Sequence, residues 1–238
     1  MKLVNRAASA AVLCAVLTAS LAACSSVKPT ASGPLDGLSG GEIAKKAIAN
    51  LKQASSVHFT GRMKDSGSTL TMDATLVNGK GCEGGMTEGK GFFKLKLIDT
   101  TLWLEADRAF WTANGGNDPT FLAKVSNKWI KTSKSSDLGS PLSDLCNLNK
   151  LLFQDAGDPS GMQKSSTSTV NGQPMLQLKD LGDSATMEVS ETADPRLLSM
   201  TDPSSSDGGT FTFTDYNAPV SLTPPPASET IDGKLFGM

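Results

Sequence analysis

The chain has 238 residues, with 22 lysines and arginines against 24 aspartates and glutamates and one histidine. Charge this evenly balanced argues against a nucleic-acid binder, which would show a basic stripe, and a single histidine leaves little room for nucleophilic triads or zinc sites. The length suffices for one sizeable hydrophobic core, and no shift in composition argues for two.

Lys2 and Arg6 precede an apolar run that closes on Leu21-Ala22-Ala23-Cys24, with Ser25 and Ser26 directly after it. The run, of about 15 residues, is too short to span a bilayer comfortably. A basic start, an apolar middle and a small-residue exit make residues 1–23 a secretory signal. With cysteine at the exit, the segment resembles a bacterial lipoprotein signal, whose lipobox has Leu, two small residues and Cys. The resemblance implies a diacylglycerol on the Cys24 sulfur, acyl chains such as palmitate, and cleavage just before that residue. Two acyl chains would hold the protein on the outer face of the cell membrane, since each buried CH₂ contributes roughly 0.8 kcal/mol. An ordinary cleaved signal that places a cysteine beside the cut is the alternative. Residues 24–38, rich in Ser, Pro, Thr and Gly, read as a flexible tether.

Ser39 and Glu42 have the S-x-x-E spacing of a capping box, and Ile43, Ala47, Leu51 and Ala54 then form one apolar face, predicting a helix over 40–54. Beyond Ser55 the period becomes two. Val57, Phe59, Gly61 and Met63 share one face; Leu70, Met72, Ala74 and Leu76 alternate with Thr69, Thr71, Asp73 and Thr75. Asn78-Gly79 predicts a type I′ turn into a strand over 81–88. Phe93, Leu95 and Leu97 alternate with Lys94 and Lys96, and a strand over 101–106 follows Asp99-Thr100. Such short connections join antiparallel neighbours, so the strands form a meander.

Asp118-Pro119 predicts a short helix through about Val125, and Trp129-Ile130 a brief strand. Ser140-Pro141 opens a second expected helix, with Leu142, Leu145, Leu148 and Leu152 as its stripe. Four further extended runs fall at 175–178, 185–189, 197–201 and 210–216, punctuated by Asp158-Pro159, Asn171-Gly172 and Asp194-Pro195. Pro224-Pro225-Pro226 ends regular structure. Residues 39–218 are thus expected to form one domain and residues 219–238 a Pro-rich tail.

Of four cysteines, Cys14 lies in the signal and Cys24 at its exit, leaving Cys82 and Cys146 in the domain. In an oxidising compartment a pair is expected to be bridged. A Cys82–Cys146 disulfide closes a loop of about 63 residues and contributes on the order of 3–4 kcal/mol. No metal site is expected, because two thiols and one histidine do not complete a tetrahedral zinc centre.

Enzymatic readings find no support. His58, the only histidine, sits at a strand start; no G-x-S-x-G, P-loop or H-E-x-x-H is present, and no catalytic residue or cofactor is expected. Trp103, Phe110, Trp111 and Trp129 fit packing in a sheet, with stacking on cell-wall sugars as a weaker reading.

The capped helix after a lipobox, Val57-His58-Phe59-Thr60-Gly61, Gly79-Lys80-Gly81-Cys82-Glu83-Gly84, Leu102-Trp103-Leu104 and Phe110-Trp111 occur in an order that resembles actinobacterial cell-envelope lipoproteins of the LppX/LprG kind, which share the LolA-like architecture. The resemblance covers roughly residues 39–218. It implies an α+β fold: a curved antiparallel half-barrel, two or three helices over its concave face, and a hydrophobic cavity between them. It also implies a lipid-binding or lipid-shuttling role. Periodicity alone nominates the lining: Leu70, Met72, Leu76, Phe93, Leu95, Leu97, Leu145, Leu148, Leu152, Met187 and Val189. The same residues would equally fill a dry core. A sensor or scaffold that binds an envelope protein partner is the rival from another class.

Overall fold

A computed structural model describes residues 33–65, 68–154, 157–204 and 208–238. The expected signal and the expected lipidation site at Cys24 lie outside the described residues.

The first helix, α1 (Gly40–Gln53), begins at the expected capping box: Ser39 Oγ accepts from the Glu42 amide at 3.3 Å and Glu42 Oε2 from the Ser39 amide at 2.7 Å. Its face of Ile43, Ala44, Ala47 and Leu51 is buried. Just ahead of it, in the stretch expected to be tether, Leu35 is also buried, and its carbonyl accepts from Lys164 Nζ at 2.6 Å. One large apolar side chain is enough to pull that polar turn onto the core.

Twelve strands among the described residues form one sheet that stays unclosed. Five of them, β1 (Ser56–Asp65), β2 (Ser68–Val77), β3 (Gly81–Glu88), β4 (Gly91–Ile98) and β5 (Thr101–Ala106), run as an antiparallel meander that continues into β6 (Trp129–Ser133). A second meander comprises β7 (Gln163–Val170), β8 (Gln173–Lys179), β9 (Thr186–Ser190), β10 (Leu197–Asp202) and β11 (Gly209–Thr214). The two join where β1 pairs with β11, placing Phe59 opposite Phe213, both buried. Beside this seam the Tyr216 hydroxyl donates to the Leu197 carbonyl, and burial holds its phenol well above the usual range. The sheet is curved and α+β in class, as expected.

Several local expectations are corrected. The β2–β3 connection is not a type I′ turn: three residues intervene between Val77 and Gly81, and of Asn78 and Gly79 only the glycine has positive φ, at 72°. The two-residue, doubly positive geometry occurs instead at Asn171-Gly172. β7 escapes periodicity because every residue in it is exposed, on the sheet's edge. Regular structure also resumes after the prolines. The chain crosses the outer face, where Lys96 Nζ reaches the Thr223 carbonyl at 3.2 Å, and adds β12 (Thr230–Asp232) parallel to β6 at the other edge.

Short helices α2 (Arg108–Ala113) and α3 (Pro119–Val125) lie between β5 and β6. The helix expected from the leucine stripe at 142–152 is broken. It is α4 (Gly139–Asp144), then a turn, then a π-helical turn at Asn149–Phe153. The break has a local cause: Asn147 Oδ1 accepts from the Asn149 and Lys150 amides at 3.0 and 3.2 Å, so its carboxamide starts a fresh segment. No helix of the described residues is long and apolar enough to cross a membrane.

Candidate functional site

The covered face of the first meander is built in rows set by register. Met72, Met86, Phe93 and Ala106 stand side by side on β2 to β5; then Ala74, Gly84, Leu95 and Leu104; then Leu76, Cys82, Leu97 and Leu102. Above them lies the segment from Leu138 to Phe153. The Cys82–Cys146 disulfide ties the two together, with Cα atoms 5.4 Å apart. The cover is interrupted between α4, which ends at Asp144, and the π-helical turn, which starts at Asn149, and there is space toward both ends of the covered rows.

The larger apolar space, about 810 Å³, lies toward the Met72–Phe93 row. That volume falls within the roughly 300–1,000 Å³ of small-molecule pockets. Leu70, Met86 and Phe93 come from the sheet and Leu138, Leu142 and Leu145 from the cover. A chain of aromatic rings forms the remaining wall: Phe93 to Phe110 at 4.9 Å between centroids, Phe110 to Trp111 at 5.5 Å, Trp111 to Phe121 at 5.7 Å and Phe121 to Phe236 at 5.7 Å. Offset and edge-on contacts of this kind are favourable beyond their burial.

Two aspartates place this wall. Asp107 caps α2 by accepting from the Phe110 amide at 2.7 Å, and its other oxygen takes the Phe92 amide at 3.1 Å, so one side chain ties α2 to the start of β4. Asp118 caps α3 through the Thr120 amide at 2.9 Å. The rim carries Glu88, Asp118, Asp137, Asn114 and Asn117 and, among the described residues, no lysine or arginine. Inside the wall, Trp111 Nε1 is buried without a hydrogen-bond partner among the described residues.

A second space, about 660 Å³, lies toward the hairpin ends of the same strands, with Leu51, Val57, Leu76, Leu97 and Leu148 as its apolar part. A third, about 320 Å³, separates α1 from β9 and β10 and includes Ile48, Phe153, Met187 and Met200.

The eleven nominated residues are therefore not one lining. Leu70, Phe93 and Leu145 face the largest of these spaces, Leu76, Leu97 and Leu148 the second, and Met187 the third. Met72 and Leu95 also border a groove of about 550 Å³ on the other side of the sheet, where Gly84-Gly85 leaves it thin. Val189 is fully buried core, and Leu152 is half-buried against the core. Met86, Phe110, Trp111, Phe121, Leu142 and Phe236 were not among the nominated lining. The pairing of Phe110-Trp111 with Phe121 was a usable signal; nothing local pointed to Phe236.

Other singled-out residues lie on the outer face. His58 Nε2 is 3.0 Å from Asp73 Oδ1 and its Nδ1 3.1 Å from Thr214 Oγ1, bridging β2, β1 and β11. Trp103 and Trp129 pair there with Lys131 and Glu105, packed nearly out of solvent.

No family model matches the chain, and no curated protein does. Among solved structures it is similar to LprF from Mycobacterium bovis, with 12% identity over 78% of this chain and 96% of that one and a TM-score of 0.51. It is also similar to the Mycobacterium tuberculosis lipoprotein LppX, with 16% identity over 77% of this chain and 97% of that one and a TM-score of 0.48. At such identities a likeness speaks to fold, and the LprF match shows the fold that the sequence resemblance implied.

Proposed function

We propose that the protein is a lipoprotein anchored through Cys24 on the outer face of the cell membrane, where it binds or shuttles a lipid or other hydrophobic ligand. The observation that carries this reading is the apolar cavity of about 810 Å³ between β2–β4 and the α2–α4 cover, walled by five connected aromatic rings. A cover packed flush on the sheet would leave no apolar cleft of that size between them. The acidic, lysine-free rim favours an uncharged headgroup over an anionic one.

The test has two arms. Membrane fractionation of Cys24→Ser should move the protein to the soluble fraction; unchanged partitioning defeats the anchor. For the cavity, an organic extract of the full-length protein should yield acyl lipid by mass spectrometry. An uncharged pyrene-labelled acylglycerol should bind the wild type and not Leu142→Trp, whose indole would occupy the space. A clean extract together with equal probe binding by both proteins defeats the lipid reading.

A further inference from the structure

The second cavity differs from the first in its charge. Its lining includes four lysines, Lys52, Lys80, Lys134 and Lys150, against Asp99 and Asp144. Two of the lysines are already engaged: Lys150 Nζ is 2.7 Å from Asp144 Oδ1, and Lys52 Nζ donates to Asn149 Oδ1 at 2.9 Å while standing over the Phe153 ring. Lys80 and Lys134 have no ion pair or side-chain hydrogen bond among the described residues. They belong to one rim, fixed by backbone bonds: the Asp99 amide donates to the Lys80 carbonyl at 2.7 Å, and the Lys134 amide to the Thr100 carbonyl at 3.0 Å. Below this rim the floor is hydrocarbon, with Leu51, Val57, Leu76 and Leu97 all buried.

We propose that this cavity is a separate binding site for an anionic amphiphile, whose tail lies on the Leu51–Leu76–Leu97 floor and whose carboxylate or phosphate sits between Lys80 and Lys134. Ammonium groups on flexible stems suit an anion at a half-wet mouth, since they reach it without losing all their water. The first cavity, rimmed by acids, selects against the same headgroup. One protein thus offers two spaces of opposite rim charge beneath a single cover, the first mostly apolar and the second with an apolar floor under a polar rim. The assignment goes beyond the reading of the first cavity and stands apart from it.

Isothermal titration of the full chain with laurate, dodecyl phosphate, dodecanol and inorganic phosphate tests it. In Leu142→Trp, whose first cavity is blocked to uncharged amphiphiles, the two anionic amphiphiles should bind more tightly than dodecanol, roughly tenfold or more for a charge-assisted contact. In that background the advantage should vanish with Lys80→Gln/Lys134→Gln and survive with Lys80→Arg/Lys134→Arg. Dodecanol binding by the glutamine variant serves as its check on folding. With the first cavity blocked, equal affinities for laurate and dodecanol overturn the proposal, as does an anionic advantage that outlives the loss of both lysines. Inorganic phosphate binding as tightly as dodecyl phosphate overturns it too, because the floor would then contribute nothing.

Discussion

Cys82 and Cys146 are 64 positions apart in sequence and 5.4 Å apart at their Cα atoms, and their bond is the point at which the helical cover is fastened to the sheet. Cys82 stands in the row of Leu76 and Leu97, while Leu145, one residue before Cys146, faces the larger apolar cavity. The bridge therefore holds apart two spaces that share one roof. Closing a loop of this length contributes about 4 kcal/mol in the chain-entropy picture. The double variant Cys82→Ser/Cys146→Ser should lose about that much in non-reducing chemical denaturation. An unchanged midpoint would show that packing alone seats the cover.

Asp107 gives a second prediction. Its two carboxylate oxygens satisfy amides on different elements, Phe110 on α2 and Phe92 on β4. Asp107→Ala strips a cap and a cross-element tie at once, with an expected loss of about 1–3 kcal/mol. Because α2 carries Phe110 and Trp111, uncharged-lipid affinity should fall with stability, whereas binding at the lysine-rimmed cavity should not change. Measuring both in one variant separates a local loosening from general destabilisation.

Much of the first meander was legible because its strands have one buried and one wet face: Met72, Ala74 and Leu76 against Thr71, Asp73 and Thr75. α1 and α3 announced themselves by Ser39–Glu42 and Asp118-Pro119. β7 was not legible, since Ser165, Ser166, Thr167 and Ser168 bury nothing and periodicity has no signal to find. The leucine stripe misled in the opposite sense. Leu142, Leu145, Leu148 and Leu152 keep helical spacing through Asn147, but side-chain hydrogen bonds at that residue restart the chain and break the helix. The site itself is a relation between distant segments, Phe93 with Phe110 and Phe121 with Phe236, and no local pattern encodes such contacts.

Gly84 tests the close packing between the two cavities. A Cβ there would lie 2.4 Å from the Ala74 Cβ and 2.5 Å from the Asp73 carbonyl oxygen, so backbone would have to move. Gly84→Ala should cost about 1–3 kcal/mol by overpacking. Gly37→Ala, where nothing lies within 4 Å of the new methyl, should leave the melting temperature nearly unchanged and serves as the control. Equal melting temperatures for the two variants would mean that β2 and β3 can separate at little cost.

The capping box of α1 carries a prediction about pH. The Ser39 backbone amide, and then the Ser39 hydroxyl, bond the Glu42 carboxylate and hold its pKa below the ordinary 4.5. A carboxyl whose pKa is lower in the folded than in the unfolded chain lends stability that is complete above the unfolded value. That stability is lost as the pH falls through the folded value. Asp158, depressed by Ser160 and Lys45, works in the same direction, so the fall of wild-type stability in acid is not Glu42's alone. A difference measurement isolates it. Glu42→Gln keeps an acceptor at the same place without the charge, so its melting temperature should lie below the wild type near neutral pH. The gap should narrow as the pH falls below the unfolded carboxyl's ordinary value and close only once it has passed below the lower folded value, where the wild-type carboxyl is protonated too. A gap that stays constant across this range would show that the amide bond to Ser39 matters and the charge on Glu42 does not.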